Sequence, residues 1–280
     1  MKWLNAREHP VCVIGLGTVG MPTAAYLQSV GYDVFGYDIS PRALERAKTQ
    51  IRAGDLSEIP SDSKIFIVCV STTRVEDKPV VTNVYDACSK VADGFDPKLI
   101  VIESTVPVGT CRDIYQSILD SRVNLAHVPH RYWPEDPLRH GVPQLRVAGA
   151  VNVESSIITR DFYADAGIPI FQVEPIEIAE MSKIVENAYR YVQIAFAEEL
   201  KMICDRNNIE FKTLRHACNT KWNVELPEAR TGIGGTCLPK DIRYLIHTAR
   251  RKGFQPDILL SAIQANKKYV EQLLQPLCQT

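Results

Sequence analysis

The segment Gly232-Ile233-Gly234-Gly235-Thr236-Cys237-Leu238-Pro239-Lys240-Asp241 gathers residue types that can do chemistry. Three glycines let the backbone come close to a ligand. A thiol near the N-terminus of a following helix and beside Lys240 has two features that lower its pKa and enrich the nucleophilic thiolate. Asp241, four residues on, is spaced to orient the thiol or a water. A loop cysteine is otherwise most often an inert small hydrophobe; the glycines and the charged neighbours set this one apart. Elsewhere, Lys183 and Asn187 form an i, i+4 pair with Glu180 one turn earlier, so three polar groups share a helix face. Ala179, Met181, Ile184, Val185, Ala188, Val192 and Ile194 make much of that helix apolar. A lysine in such surroundings suits oxyanion stabilisation, because charge acts strongly where water is scarce.

A second grouping lies near the N-terminus. Gly15-Leu16-Gly17-Thr18-Val19-Gly20 follows a strand pattern and opens a helix pattern, and Asp38 ends the next strand. The first glycine permits the tight turn, the second admits pyrophosphate, and the third allows close helix packing. Pyrophosphate then sits on the helix N-terminus, where free N–H groups and the dipole favour an anion. A carboxylate at Asp38 accepts the ribose 2′-OH and repels a 2′-phosphate, which selects NAD over NADP.

These residues need elements to hold them. Short β-branched runs at 11–16, 33–38, 64–70, 99–104, 124–128 and 145–150 alternate with helical patterns at 23–31, after Ser40-Pro41, and at 105–119. Such alternation predicts right-handed crossovers and a parallel sheet. After about residue 173 the texture becomes helical. A run free of Gly and Pro from Glu177 to about Asn207 predicts a helix of about 45 Å. Another helix follows Asp241 and stops at Gly253, and a last one begins at Pro256-Asp257. In the last, Leu259, Ala262, Ile263, Asn266, Val270, Leu273 and Leu274 make one stripe. The expected fold class is α/β: a Rossmann-type doubly wound sheet that binds NAD (residues 1–172), followed by a mainly helical domain carrying Cys237 (residues 173–280).

Composition narrows the field. The chain has 280 residues, is 45% hydrophobic and 23% charged, and has a net charge of −1. These values fit a globular protein and argue against disorder and collagen-like repeats. A balanced charge removes the electrostatic case for nucleic acid or an anionic membrane as partner. The apolar stretch after the N-terminus is broken by Gly15, Gly17, Gly20 and Pro22 before it could cross a bilayer. Eight cysteines lack CxxC spacing, which fits a reducing, cytoplasmic setting and no disulfide scaffold. His127 and His130 have metal-like spacing, but no third ligand is evident, so no metal is expected.

The motifs resemble those of the UDP-glucose/GDP-mannose dehydrogenase family, whose members oxidise the C6 alcohol of a nucleotide sugar to a uronate in two hydride transfers to NAD⁺. The resemblance runs, in order, through the N-terminal glycines, Val70-Ser71-Thr72-Thr73, Glu103-Ser104-Thr105-Val106-Pro107-Val108-Gly109-Thr110, the Lys183/Asn187 helix, and the GxGGxCxPKD segment. It implies that Cys237 captures the aldehyde as a thiohemiacetal and carries the thioester. It assigns Lys183 and Asn187 to oxyanion and substrate, Asp241 and Thr105 to a water, and Thr18, Val19, Thr72, Thr73, Thr105 and Lys240 to the cofactor side. Gly234, Gly235 and the 130–134 loop with Arg131 shape the sugar pocket.

The chain departs from the family twice. Where the family has Pro-Glu, this chain has Pro129-His130. Either His130 serves as the base, its ordinary pKa near 6.5 suiting that task, or Glu135 folds back to fill the place, or His130 is a structural loop residue. The chain also ends at Thr280, where family members continue into a further nucleotide-gripping domain, so it is read as a truncated protein or as a short member. The stripe of residues 259–274 then calls for cover, and a homodimer built on the helix at 257–274 is the simplest source. Two other functions stay open: a two-electron dehydrogenase of a smaller hydroxy substrate, and a catalytically weak NAD-binding regulatory or assembly subunit.

Overall fold

The computed structural model describes residues 7–274; Cys278 and the outermost residues of both expected domains lie outside them. The first strands and helices are β1 (Val11–Ile14), α1 (Gly20–Ser29), β2 (Val34–Tyr37), α2 (Pro41–Ala47), β3 (Arg52–Gly54) and β4 (Ile65–Val68). A hairpin of β5 (Thr73–Val75) and β6 (Lys78–Val80) precedes α3 (Thr82–Gly94), β7 (Leu99–Ile102), α4 (Thr110–Ser117), β8 (Asn124–His127), β9 (Arg146–Ala150), α5 (Val153–Asp165) and β10 (Ile170–Val173). The helical part comprises α6 (Ile176–Arg206), α7 (Phe211–Cys218), α8 (Cys237–Arg250) and α9 (Asp257–Leu274).

The large sheet has the order β10-β9-β8-β7-β4-β1-β2-β3. From β3 to β8 it is parallel, and the order reverses beside β1, where a doubly wound sheet opens its ligand crevice. Every residue of β1, β4 and β7 is buried, as strands covered by helices on both faces must be. One apolar cluster, with Val11, Leu27 and Phe162, covers one face; another, with Phe66, Val91 and Ile114, covers the other. Ser40 caps α2 by accepting from the Ala43 amide, with Pro41 in the first turn.

The expected all-parallel sheet is corrected at one edge. β9 pairs with β8 antiparallel, and β10 pairs with β9 parallel. The connection from β8 to β9 contains no helix, so the chain returns directly, without the crossover that parallel pairing requires.

Compactness divides the chain into two units, one running up to Thr73 and from Pro79 to Lys183, the other holding Arg74–Lys78 and the chain from Ile184 onward. The division thus falls inside α6, later than residue 172. In the second unit Ala188, Tyr191 and Ala195 of α6 pack with Ile242 and Ile246 of α8 and Ala262 and Ala265 of α9. Leu259 and Ile263 join that core, and Asn266 bonds to Tyr191 and Glu198. Most of the α9 stripe therefore has its cover within the unit, which removes the argument that it needs a second copy. Ile258, Leu273 and Leu274 remain exposed. Asp77, at the hairpin tip, pairs with Arg243 and Arg250 of α8. No helix among the described residues is long and apolar enough to cross a membrane.

Candidate active site

In the first unit, the three glycines of the N-terminal motif differ in what demands them. Gly15 has φ +93°, and a Cβ there would lie 2.8 Å from the Cys69 backbone; one at Gly20 would lie 1.8 Å from the Gly15 carbonyl oxygen. Packing alone forces both to be glycine. A Cβ at Gly17 would meet nothing within 4 Å, so no protein neighbour forbids a side chain there and the space is open to a ligand. Helix α1 then starts without a side-chain cap at Val19, a start that favours an anion. Thr18 is exposed at this turn. Asp38 accepts from the Leu16 amide at 2.7 Å and the Ser40 amide at 2.8 Å, so it also ties the glycine turn to the end of β2. A cleft of about 190 Å³ is lined by Gly15, Gly17, Asp38, Ile39, Ser71, Asn83 and Lys90. An uncapped helix start, a glycine with open space and a carboxylate in one cleft fit an NAD adenosine and pyrophosphate.

Thr72 donates its hydroxyl to the Thr105 carbonyl at 2.9 Å, which joins two of the motif segments, while Thr73 opens the hairpin. Immediately before Thr105 lies a buried polar cluster. Glu103 accepts from Arg146 at 2.6 Å and from the Tyr163 hydroxyl at 2.7 Å through one oxygen. Its other oxygen faces Thr23 at 3.3 Å, Cys69 at 3.5 Å and His130 at 3.5 Å. Burial alone would raise the Glu103 pKa, but the Arg146 charge and the hydrogen bonds from Tyr163 and Arg146 outweigh it and hold the carboxyl below its usual value.

His130 belongs to this cluster, and its surroundings favour the structural reading among the three left open for it. Its Nδ1 accepts from the Tyr132 amide at 3.0 Å, which places the proton on Nε2, 3.0 Å from the Thr23 hydroxyl. Both ring nitrogens are occupied and the side chain is 4% exposed. Burial, with the charges of Arg146 and Lys183, pushes its pKa down to about 3 despite Glu103. It is a neutral structural group between α1 and the loop after β8. Glu135 is exposed on that loop. Arg131 donates to the Leu145 carbonyl at 2.9 Å, bracing the loop across its base.

In the second unit, α8 begins at Cys237 itself rather than after Asp241. Pro239 fits its first turn, where the amide it lacks would have no partner anyway. Among the described cysteines Cys237 alone is exposed, with the Thr236 hydroxyl 3.8 Å from its sulfur. Asp241, one turn along, is buried and accepts from the Asn187 amide group. Lys240 lies 2.8 Å from the other Asp241 oxygen and over the Tyr244 ring, so Asp241 shares its charge. A Cβ at Gly232 would strike Val270 at 2.5 Å, whereas Gly234 and Gly235 face open space. Asn187 and half-buried Lys183 lie one turn apart on α6.

The sequence marks Glu103 only as part of a motif and does not mark Arg146 or Tyr163. The one available signal was an arginine inside the otherwise apolar run Leu145–Ala150: a lone charge in a buried strand implies a buried partner.

The chain matches the model of the UDP-glucose/GDP-mannose dehydrogenase family's NAD binding domain over residues 46–166 and that of its central domain over residues 177–268. Residues 1–88 also match the NAD binding domain of D-isomer specific 2-hydroxyacid dehydrogenases. It is 31% identical to UDP-N-acetyl-D-mannosamine dehydrogenase of Methanococcus vannielii, over 95% of this chain and 67% of the relative. With NDP-N-acetyl-D-galactosaminuronic acid dehydrogenase of Ralstonia solanacearum it shares 29% identity over 85% of this chain and 64% of the relative. Among solved structures, a UDP-D-ManNAc dehydrogenase from Pyrococcus horikoshii superposes with a TM-score of 0.84 at 27% identity, covering 93% of this chain and 68% of that one. The chain therefore belongs to the UDP-glucose/GDP-mannose dehydrogenase family and carries its NAD-binding domain. It spans about two thirds of the length of the curated relatives it matches.

Proposed function

We propose that the chain oxidises the C6 alcohol of a nucleotide sugar, a UDP- or GDP-linked hexose or N-acetylhexosamine, to the uronate. The relatives' names favour an N-acetylhexosamine. The observation that carries the reading is Cys237: an exposed thiol at the first residue of α8, preceded by glycines whose missing side chains leave open space.

Gly15, Gly17, Thr18, Val19, Gly20 and Asp38, with Thr72, Thr73 and Lys240, are assigned to NAD. When bound, NAD⁺ accepts hydride from the carbon being oxidised. Lys183 and Asn187 hold the sugar oxygen as its charge grows, worth about 3 kcal/mol for a typical oxyanion donor. The Cys237 sulfur adds to the aldehyde carbon and gives a thiohemiacetal, whose oxidation leaves a thioester. Water then attacks the thioester carbonyl, releasing the carboxylate and returning the proton to sulfur. Thr105 and Asp241 are assigned to that water, with Asp241 also setting the Asn187 amide. Gly234, Gly235 and Arg131 shape the sugar pocket. His130 holds the loop and takes no proton.

The test is incubation with NAD⁺ and a panel of UDP- and GDP-sugars. The expected result is two NADH per uronate, and Cys237→Ser abolishes uronate while leaving NAD⁺ binding intact. No NADH from any sugar, with NAD⁺ bound, overturns the reading; one NADH and an accumulating aldehyde favour the two-electron alternative. A homodimer through α9 is also proposed, supported by exposed Ile258, Leu273 and Leu274, together with a cytoplasmic setting. Light scattering that returns a monomer mass removes the dimer.

A further inference from the structure

Helix α4 starts after Gly109, whose φ is +95° and which offers no side-chain cap. Its first amides are nevertheless satisfied. Gly109 donates to one oxygen of Glu180 at 2.6 Å, and Cys111 donates to the other at 2.7 Å. Glu180 is fully buried and comes from α6, three residues before Lys183. Arg112, in the same first turn of α4, forms a two-pronged ion pair with Glu177, one turn earlier on α6. Burial raises the Glu180 pKa, while the two amides work against that rise.

The segment leading into α4 contains Thr105. Its front is held by the Thr72 hydroxyl on the Thr105 carbonyl, and its rear by the Thr110 hydroxyl on the Pro107 carbonyl at 2.7 Å. A serine, aspartate or asparagine at position 109 could accept from the Cys111 amide but not from its own. The chain instead has glycine there and takes the cap from the helix that carries Lys183. A local cap would take only part of this role and would leave α6 free to shift against the Thr105 loop.

We propose that Glu180 is a positioning residue, which fixes the register of Lys183 against the Thr105 loop by capping α4 from α6. This rests on the function proposed above, in which Lys183 and Thr105 both serve the reaction. A carboxylate is needed because both donors are N–H groups. In Glu180→Gln, of equal size, the amide oxygen can accept one N–H, but the NH₂ must face the other.

Glu180→Gln is expected to lower kcat about 10- to 100-fold, as sub-ångström to 1 Å misplacement of a catalytic group does, with NAD⁺ affinity within about twofold of wild type because the glycine turn is untouched. In a Lys183→Ala background the same substitution should lower the remaining rate less than about threefold, since the group it positions is gone. Losses that multiply in full overturn the proposal, because a merely structural role would act in both backgrounds. An arm independent of turnover compares acetylation of Lys183 with that of other lysines by mass spectrometry. Wild type and Glu180→Gln should differ in Lys183 rate by about fivefold or more, the factor expected of a shift near 1 kcal/mol in local environment; equal rates overturn the proposal. If Glu180→Gln does not fold, Glu180→Asp, which keeps the charge but shortens the reach, is read in the same cycle and the same labelling. A wild-type protein that oxidises no sugar sinks the function reading alone, because the labelling arm still reports on Glu180.

Discussion

The Glu103 cluster in the first unit and the Cys237 turn in the second are both built from residues capable of catalysis, yet they are opposite in kind. Glu103, Arg146, Tyr163 and His130 are buried, and most of their polar atoms bond to one another, to Thr23 or to nearby backbone. Cys237 is exposed, and Gly234 and Gly235 beside it face open space. Five elements meet at Glu103: α1 through Thr23, the end of β4 through Cys69, the loop after β8 through His130, β9 through Arg146 and α5 through Tyr163. That cluster stiffens the edge of the sheet where ligands bind in doubly wound folds. Reactive residue types therefore do not by themselves mark a reactive site; what separates the two regions is whether the reactive atom is enclosed or open to approach.

The strongest way to break this comparison is to remove one partner of the buried pair. Arg146→Ala leaves Glu103 charged and buried, and is expected to destabilise the fold by about 3–5 kcal/mol, read from denaturant unfolding. Cys237→Ser, at an exposed position, should change stability by less than about 0.5 kcal/mol. If the two variants unfold at similar denaturant concentrations, the cluster is not the scaffold described.

Acid offers the next test. His130 and His127 are held down to about 3 and about 4, mainly by burial. Their folded pKa values lie below the unfolded value, about 6.5, so the unfolded chain binds more protons as pH falls below that point. The stability they confer is complete above about pH 6.5 and is lost as pH falls toward 4 and 3, at up to about 1.4 kcal/mol per pH unit for each ring. Glu103, whose pKa is lowered, adds its own loss only below the ordinary carboxylate range. Unfolding measured from pH 7 to 4 should show the decline, and His130→Gln should flatten it by one proton. A profile with the same slope in both proteins would contradict the buried neutral ring.

How legible all this was in the sequence depended on range. Gly15, Gly20 and Asp38 could be read because their roles lie within one strand, turn and helix, and the helix predicted from Glu177 to about Asn207 is found at Ile176–Arg206. Helix α8 starts at Cys237, ahead of the expected start after Asp241, because a proline is tolerated in a first turn. His130 could not be assigned from sequence: its partners Thr23, Glu103 and Arg146 are distant in the chain, and the same imidazole is a base when open to water and a strut when enclosed. The antiparallel β9 was hidden for a related reason, since its strand pattern carries no sign of direction.

The glycines give a smaller and sharper contrast within the Cys237 turn itself. Gly232 has φ +94° and would place a Cβ 2.5 Å from Val270, so Gly232→Ala should cost about 1–3 kcal/mol through backbone strain and displacement of α9. Gly234 lacks both constraints, with nothing within 4 Å of its Cβ position, so Gly234→Ala should shift stability by less than about 0.5 kcal/mol. If the open space beside Gly234 is where substrate approaches, that nearly silent substitution should still raise the KM for the sugar, as the added methyl competes with ligand rather than with protein. Gly17 sits in the same position logically: no neighbour forbids its side chain, yet the turn keeps it bare. A Gly234→Ala enzyme with unchanged stability and unchanged KM would show that the space at this turn is merely solvent, and would move the sugar pocket elsewhere.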